Sequence, residues 1–393
     1  MAKKVISEDT NEQWQINGAE KTWTLEKQAA ITVAGAPAIA LSDQDFGNTL
    51  KLFGDVSSTG AGIHAIEVAA FGTTILIGEH SKIKGATGID SVGGDTKIVN
   101  RGVIEATDFG IDTNINTNIR NFGHVSGNYA ILGHGDDSRV VNGAGGTIEG
   151  ATVGLYVASG EGADVINKGT ISGQAYAVVI LSDGENTFIN TGNVEGDILF
   201  GAGNDMIDTR KGNVNGQLIG GDSNDEYRIS KGDAIIVEEA GEGYDGVRSS
   251  ATFSLDDHIE ALYLTGKKNV SGFGNDEDNN VFGNRGDNTL VGGAGDDLIN
   301  GGRGTDAMIG EDGFDSFLFI RGDGKDTIGD FTFGEDIIWL NKLGNVDFSD
   351  LDISQHGENT WISLGKGDRI VLSGIDADQL TEDNFSFLPL GPI

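Results

Sequence analysis

A period of nine governs the stretch from Gly274 to Leu318. Gly283-Asn-Arg-Gly-Asp-Asn-Thr-Leu-Val291 is followed by Gly292-Gly-Ala-Gly-Asp-Asp-Leu-Ile-Asn300, then by Gly301-Gly-Arg-Gly-Thr-Asp-Ala-Met-Ile309 and Gly310-Glu-Asp-Gly-Phe-Asp-Ser-Phe-Leu318. A weaker unit, 274–282, precedes them in register. Positions one and four are almost always Gly, and position six is always Asp or Asn. Position eight is Val281, Leu290, Ile299, Met308 and Phe317. Glycine tolerates φ > 0 and close backbone approach, so the first six residues fit a tight turn. The last three fit a short strand whose central apolar residue points inward. Two turns and two strands close one coil, and coils stack. A flexible Gly/Asp linker would not keep an apolar residue at every ninth place.

Stacking repeats the position-six carboxylate along one edge, where turn carbonyls also converge. Hard oxygen donors in such numbers suit calcium rather than zinc. Without a cation the acidic rows repel, and one apolar residue in nine makes a thin core, so folding is expected to be coupled to metal binding. The tandem G-G-x-G-x-D-x-U-x pattern, fullest over 292–318, resembles the calcium-binding nonapeptides of RTX proteins. Phe200-Gly-Ala-Gly-Asn-Asp-Met-Ile-Asp208 and Gly220-Gly-Asp-Ser-Asn-Asp-Glu-Tyr-Arg228 are RTX-like units too, with Ser223 replacing a turn glycine. The predicted calcium ligands are therefore Asp205, Asp225, Asp297, Asp306 and Asp315, with the carbonyls of Gly293, Gly295, Gly302 and Gly304.

The resemblance implies more. Asp326-Thr-Ile328, Asp330-Phe331 and Gly334 to Leu340 look like the segment that closes such a roll, with Asp326 and Asp330 completing the last calcium site. Asp383-Asn-Phe-Ser-Phe387-Leu looks like the family's export signal, prolonged here by Pro389 to Ile393. A bacterial protein of this kind leaves the cell through type I secretion machinery, which reads an uncleaved C-terminal signal. It folds in extracellular calcium, either free or associated with the cell surface. No apolar h-region lies within Met1–Ala30, so a cleaved N-terminal signal peptide is not expected.

Charge narrows the partners. Lys plus Arg total 26 against 61 Asp plus Glu, a net charge of −35. Nucleic acid and anionic membranes, which need a basic face, are not expected partners. No apolar run approaches the length of a transmembrane helix. With 63 Gly and only 3 Pro, the composition favours many tight turns between short strands over disorder. The absence of cysteine means that no disulfide is used.

A second, longer repeat runs over 31–199. It aligns on Ile98-Val-Asn100, Ile119-Arg-Asn121, Val140-Val-Asn142, Val165-Ile-Asn167 and Phe188-Ile-Asn190. Each is followed by a β-branched residue (Ile104, Val125, Ile148, Ile171, Val194) and then by a Gly/Ala-aliphatic pair. Short strands at such spacing bury a core only when stacked as coils. The asparagines are expected to form an amide ladder inside a turn. The predicted fold is all-β: a right-handed parallel β-helix of roughly seven or eight rungs, on the order of 35 Å long, followed by a calcium-binding parallel β-roll and a small C-terminal β segment. The expected divisions are an N-terminal cap (1–30), the β-helix (31–199), a short roll (200–228), a spacer (229–273), the main roll (274–318), and a roll cap with secretion signal (319–393).

The sequence holds no HExxH and no GxSxG, and its six histidines are scattered. In the aligned rungs Asp90, Asp112 and Tyr156 fall in one outward column, with His134 nearby in sequence. Stacked carboxylates raise one another's pKa or bind a cation. The favoured reading is a non-enzymatic extracellular scaffold for adhesion or polysaccharide contact. The competing reading is a carbohydrate-active enzyme, an uronan lyase or epimerase, using that column. The triplet Arg321-Gly322-Asp323 is read as a chance match to an integrin motif in a chain rich in Gly and Asp.

Overall fold

The computed structural model describes residues 3–388 except 115, 117, 137 and 342–346. The predicted tail, Pro389–Ile393, lies outside the described residues. Among the described residues there is no α-helix, only three single-turn 3-10 segments at 348–350, 377–379 and 382–384. The fold is a parallel β-solenoid, divided into two compact units, 1–225 and 226–393.

In the first unit each full coil has three faces. The first face stacks short strands in parallel, among them Thr74–Ile77, Lys97–Asn100, Asn118–Asn121, Arg139–Asn142, Asp164–Asn167 and Thr187–Asn190. The second and third faces run through bent strands, Lys82–Ser91, Val103–Thr113, His124–His134 and Thr147–Ser159. Register shifts at Gly85/Thr87, Glu105/Phe109 and Gly127/Tyr129 mark the bend. Alternation sends one side chain in and the next out. Ile98, Ile119, Val140, Val165 and Phe188 therefore form one buried column, and Ile104, Val125, Ile148, Ile171 and Val194 another. Each such side chain contributes about 1.5–3 kcal/mol of transfer free energy.

The asparagine ladder is present. Asn100 Nδ2 donates to Asn121 Oδ1 at 2.8 Å, and the links Asn121 to Asn142, Asn142 to Asn167 and Asn167 to Asn190 are each 2.9 Å. The same amides donate to carbonyls of the next turn, as Asn142 does to Thr170 O. Residues 3–25, expected only to cover the stack, enter it: Lys3–Ile6 pairs in parallel with Thr22–Leu25, which pairs with Thr49–Leu52.

The second unit alternates strands between two sheets. One contains Ala261–Leu264, Asn280–Phe282, Leu298–Asn300, Ser316–Ile320 and Ile337–Asn341. The other contains Ser271–Phe273, Thr289–Ala294, Ala307–Asp312 and Lys325–Ile328. The position-eight residues Val281, Leu290, Ile299, Met308 and Phe317 are fully buried between them. Within 229–273, where the sequence suggested a spacer, the strands Gly246–Ser249 and Ala261–Leu264 carry the same parallel register into the roll. The predicted C-terminal hairpin forms from Asn359–Gly365 and Asp368–Leu372, and the latter pairs in parallel with Lys325–Ile328. The short strand Phe385–Ser386 docks beside Ile338–Trp339.

Candidate metal centre

A repeated corner recurs in the roll, at the residue just before a sheet strand or, for Asp326, at the matching register position inside Lys325–Ile328. In one sheet the corner residues are Glu260, Asn279, Asp297, Asp315 and Asp336. In the other they are Asn288, Asp306 and Asp326. Each acid uses one oxygen to receive the backbone N–H of the corner one coil earlier, whereas Asn279 and Asn288 accept from Asn275 N and Asn284 N within their own turns. Asn279 N donates to Asp297 Oδ1 at 2.7 Å, Asn288 N to Asp306 Oδ1 at 2.7 Å, and Asp297 N to Asp315 Oδ1 at 3.1 Å. In the first unit Asp205 Oδ1 receives Asn186 N, and Asp225 Oδ1 receives Asp205 N, both at 2.7 Å.

The other oxygen is the informative one. Oδ2 of Asp205, Asp297, Asp306 and Asp315 is buried with no hydrogen-bond partner. A buried carboxylate oxygen left unmatched is costly, so such atoms demand an explanation. The glycine at position one supplies part of it. A Cβ on Gly292, Gly301 or Gly310 would collide with the carboxylate of Asp297, Asp306 or Asp315 respectively. These glycines have ordinary negative or extended φ, so they are small to make room for the acid. By contrast Gly293, Gly295, Gly302 and Gly304 have φ of +121°, +105°, +76° and +146°, which turn the chain. The Gly295 and Gly304 N–H groups bond to Asp312 O and Asp323 O of the next coil.

Burial pushes these acids upward: Asp297 and Asp326 to about 8, Asp205 and Asp315 to about 7, Asp306 and Asp323 to about 6. Neighbouring acids add to the rise, as Asp315 does on Asp297 and Asp306 on Asp326. Rows of buried acids, of which Asp297, Asp306 and Asp315 each present a bare oxygen above a glycine cradle, fit a hard divalent cation with many oxygen ligands. Such an ion would hold these carboxylates deprotonated.

The remaining predicted ligands differ in placement. Asp326 Oδ1 receives Asp306 N at 3.0 Å and so occupies a corner like the position-six acids. Asp330 does not. Both its oxygens cap the turn at Gly310 N and Glu311 N, at 3.1 and 2.9 Å. Three corner or near-corner acids escape the count of nine: Glu260, Asp336 and Asp323. Asp336 Oδ1 receives Asp315 N from 21 residues away. Asp323 is buried and receives Ile320 N, which turns the carboxylate of the Arg-Gly-Asp triplet inward. The position-five acids form an outer ladder, with Asp278 Oδ1 receiving Asp296 N and Asp296 Oδ1 receiving Phe314 N.

The same corner exists throughout the first unit, but its chemistry changes. The first-face register puts Asn48, Thr73, Thr96, Ser138, Ala163, Asn186, Asp205 and Asp225 in one line. Among the described residues, neutral ones occupy it from Asn48 as far as Asn186, and these corners are satisfied by hydrogen bonds such as Ala163 N to Asn186 Oδ1 at 2.9 Å.

The outward column on the third face is Glu67, Asp90, Asp112, Leu132 and Tyr156 in register. Asp90 and Asp112 are thus adjacent, while Tyr156 stands two coils beyond Asp112 with Leu132 between. His64 Nε2 lies 3.4 Å from Asp90 Oδ2. Burial raises both aspartates. His64 opposes the rise at Asp90, and Asp90 adds to it at Asp112, where His134 and His64 oppose it. Asp112 Oδ1 and His64 Nδ1 are buried without a partner. The charged groups acting on this pair are carboxylates and imidazoles. The Lys or Arg that would neutralise a uronate is not among them.

Comparison with known proteins places residues 273–317 in the family described as RTX calcium-binding nonapeptide repeat (4 copies). An endo-1,3-1,4-beta-glycanase, EglC of Rhizobium meliloti (strain 1021), is 40% identical over 151 residues. The match takes in 38% of this chain and 30% of that protein, so the chain spans less than a third of that relative's length. The extracellular lipase LipA of Serratia marcescens aligns with a TM-score of 0.26 and 16% identity, covering 54% of this chain and 40% of that one.

Proposed function

The chain carries RTX calcium-binding nonapeptide repeats, and from that premise we propose a secreted protein whose acidic coils order when calcium enters the roll corners. The observation that carries this reading is the bare, buried Oδ2 of Asp205, Asp297, Asp306 and Asp315. Asp326 occupies an equivalent corner, and the turn carbonyls of Gly293, Gly295, Gly302 and Gly304 complete the oxygen set. Calcium supplies positive charge where adjacent coils bring acids together. The protein's residues do the rest: one carboxylate oxygen ties each coil to the next, and the other faces the ion. Export through type I machinery and folding in extracellular calcium follow from the same family premise. The β-helix then serves as a rigid scaffold for adhesion or contact with extracellular polysaccharide.

The test is a calcium titration of chelated, purified protein, followed by far-UV circular dichroism and light scattering. The expected result is a cooperative gain of β signal with a fall in hydrodynamic radius. The Asp297→Ala/Asp306→Ala double variant should shift the midpoint to higher calcium by at least tenfold. An unchanged midpoint would remove the site assignment.

A second reading is favoured by one observation, the adjacent Asp90 and Asp112 with raised pKa values. Under it the β-helix is a carbohydrate-active enzyme, a class to which the named glycanase relative belongs. Release of reducing ends from β-glucan or uronan, lost in Asp112→Asn, would establish it. No release from either would retire it.

A further inference from the structure

The bend between the second and third faces of the first unit opens a cleft. It has two lobes, of about 590 and 790 Å³, that share Ala106 and Thr107. Its floor is made where Gly85, Gly127, Gly150 and Gly173 sit against backbone, each so tightly that a Cβ would meet a neighbouring carbonyl. Successive coils contribute residues at the same place, so the cleft runs along the stacking direction, from Ser57 to Glu195.

Its chemistry repeats with the coils. Glu105, Ser126, Glu149, Ser172 and Glu195 stand in register, carboxylate alternating with hydroxyl. Like carboxylates are two coils apart, roughly 9–10 Å at one strand spacing per coil. Lys84, on the lining, has its Nζ 2.8 Å from Glu105 Oε2. Neither lobe is lined by any other Lys or Arg. Aromatic residues adjoin the lining in sequence. Phe109 and Tyr129 directly follow the lining residues Asp108 and Asn128. Their rings lie 5.8 Å apart, and Tyr129 lies 6.2 Å from Tyr156. All three are half-buried, leaving ring surface open to solvent.

We infer that this cleft binds an extended, neutral polysaccharide laid along the coils. The inference rests on the polysaccharide-contact reading above and names the class of glycan. Aromatic rings offer an apolar surface for the C–H faces of sugar rings. Alternating Glu and Ser accept and donate hydrogen bonds to hydroxyls. One coil advances by about one strand spacing, close to the rise of one pyranose in an extended chain, so each coil meets an equivalent sugar. Glu105 is already neutralised by Lys82 and Lys84, so a polyuronate would set its carboxylates against Glu149 and Glu195 with no free cation to oppose them, and like-charge contact disfavours it. The cleft therefore takes a neutral glycan rather than a uronan.

The experiment uses full-length, calcium-loaded protein and native affinity electrophoresis in gels containing mixed-linkage β-glucan or alginate. Retardation by β-glucan and none by alginate is expected. Tyr129→Ala should weaken retardation at least tenfold, and Ser126→Trp, which fills the cleft, should abolish it. Both side chains point outward, so circular dichroism and the calcium midpoint should be unchanged. Retardation by alginate alone would overturn the neutral assignment while leaving polysaccharide contact standing. β-Glucan binding indifferent to both variants would overturn the cleft. No retardation by either glycan, with the calcium transition intact, would remove the glycan reading and spare the calcium one.

Discussion

At the scale of residues, two kinds of glycine do different work in one motif. Gly293 and Gly304 turn the chain at positive φ, whereas Gly292, Gly301 and Gly310 leave room for a carboxylate. A Gly→Ala change at an ordinary φ usually stabilises by reducing unfolded-state freedom. Here the sign should reverse. In Gly301→Ala the new Cβ would meet Asp306 Oδ2 at 2.6 Å, so the acid must move. The calcium midpoint should rise about tenfold, equivalent to about 1.4 kcal/mol, as read by titration against circular dichroism. The same acids set a pH dependence. Their folded values, about 6 to 8, lie above the ordinary 3.8. Their contribution to the metal-free fold is therefore complete below about pH 4 and is lost progressively as pH rises to about 8. Metal-free protein should show more β signal at pH 5 than at pH 8.5. Calcium binding at pH 7 should release protons, measurable by calorimetry in buffers of different ionisation enthalpy. Proton uptake, or a metal-free fold that strengthens with pH, would contradict the arrangement.

At the scale of elements, the asparagine ladder ties first-face turns together. Asn142 both receives from Asn121 and donates to Asn167. Asn142→Ala would remove both links at once, leaving Asn121 Nδ2 only its bonds to Gly123 O and Thr147 O and Asn167 Oδ1 only its bond from Gly169 N. The expected cost is about 3 kcal/mol, or on the order of 10 °C in a thermal melt of a unit this size. A shift under 2 °C would show that water replaces the link. The roll-closing segment offers a paired comparison. Asp326 occupies a corner, whereas both oxygens of Asp330 are engaged by backbone N–H groups. Asp326→Asn should lower calcium stoichiometry or affinity. Asp330→Asn should instead loosen the turn at Gly310–Glu311 and leave stoichiometry unchanged, which equilibrium dialysis would resolve.

At the scale of the whole molecule, the corners differ in charge along the sequence. Among the described residues from Asn48 to Asn186 the corner is neutral and internally satisfied. At Asp205 and Asp225, and through Asp297 to Asp336, it is acidic. The sequence alone suggested a chain wholly unfolded without calcium. The corner chemistry limits that expectation. In chelator, hydrogen exchange should remain slow for first-face strands of 74–190 and become fast over 279–336, and calcium should slow the latter. Fast exchange across 74–190 in chelator would mean that the β-helix also depends on the ion.

Periodicity by itself determined the stacked coils, the buried position-eight residues and the asparagine ladder, because a repeat that places one apolar and one polar residue per coil has few other ways to bury the first and satisfy the second. It also marked Asp205, Asp297, Asp306 and Asp315, which the repeat returns to equivalent corners. Tertiary structure decided the rest. Residues 3–25 and 246–264 lack the repeat yet pair in register, since strand pairing fixes the stack and insertions are absorbed in the corners. Asp336 reaches its corner through a longer loop, so a count of nine passes over it. Asp330 has the right residue type but both oxygens are already engaged, which only backbone geometry reveals. The cleft exists because glycines from separate coils align at one bend, a coincidence in space that no local pattern encodes.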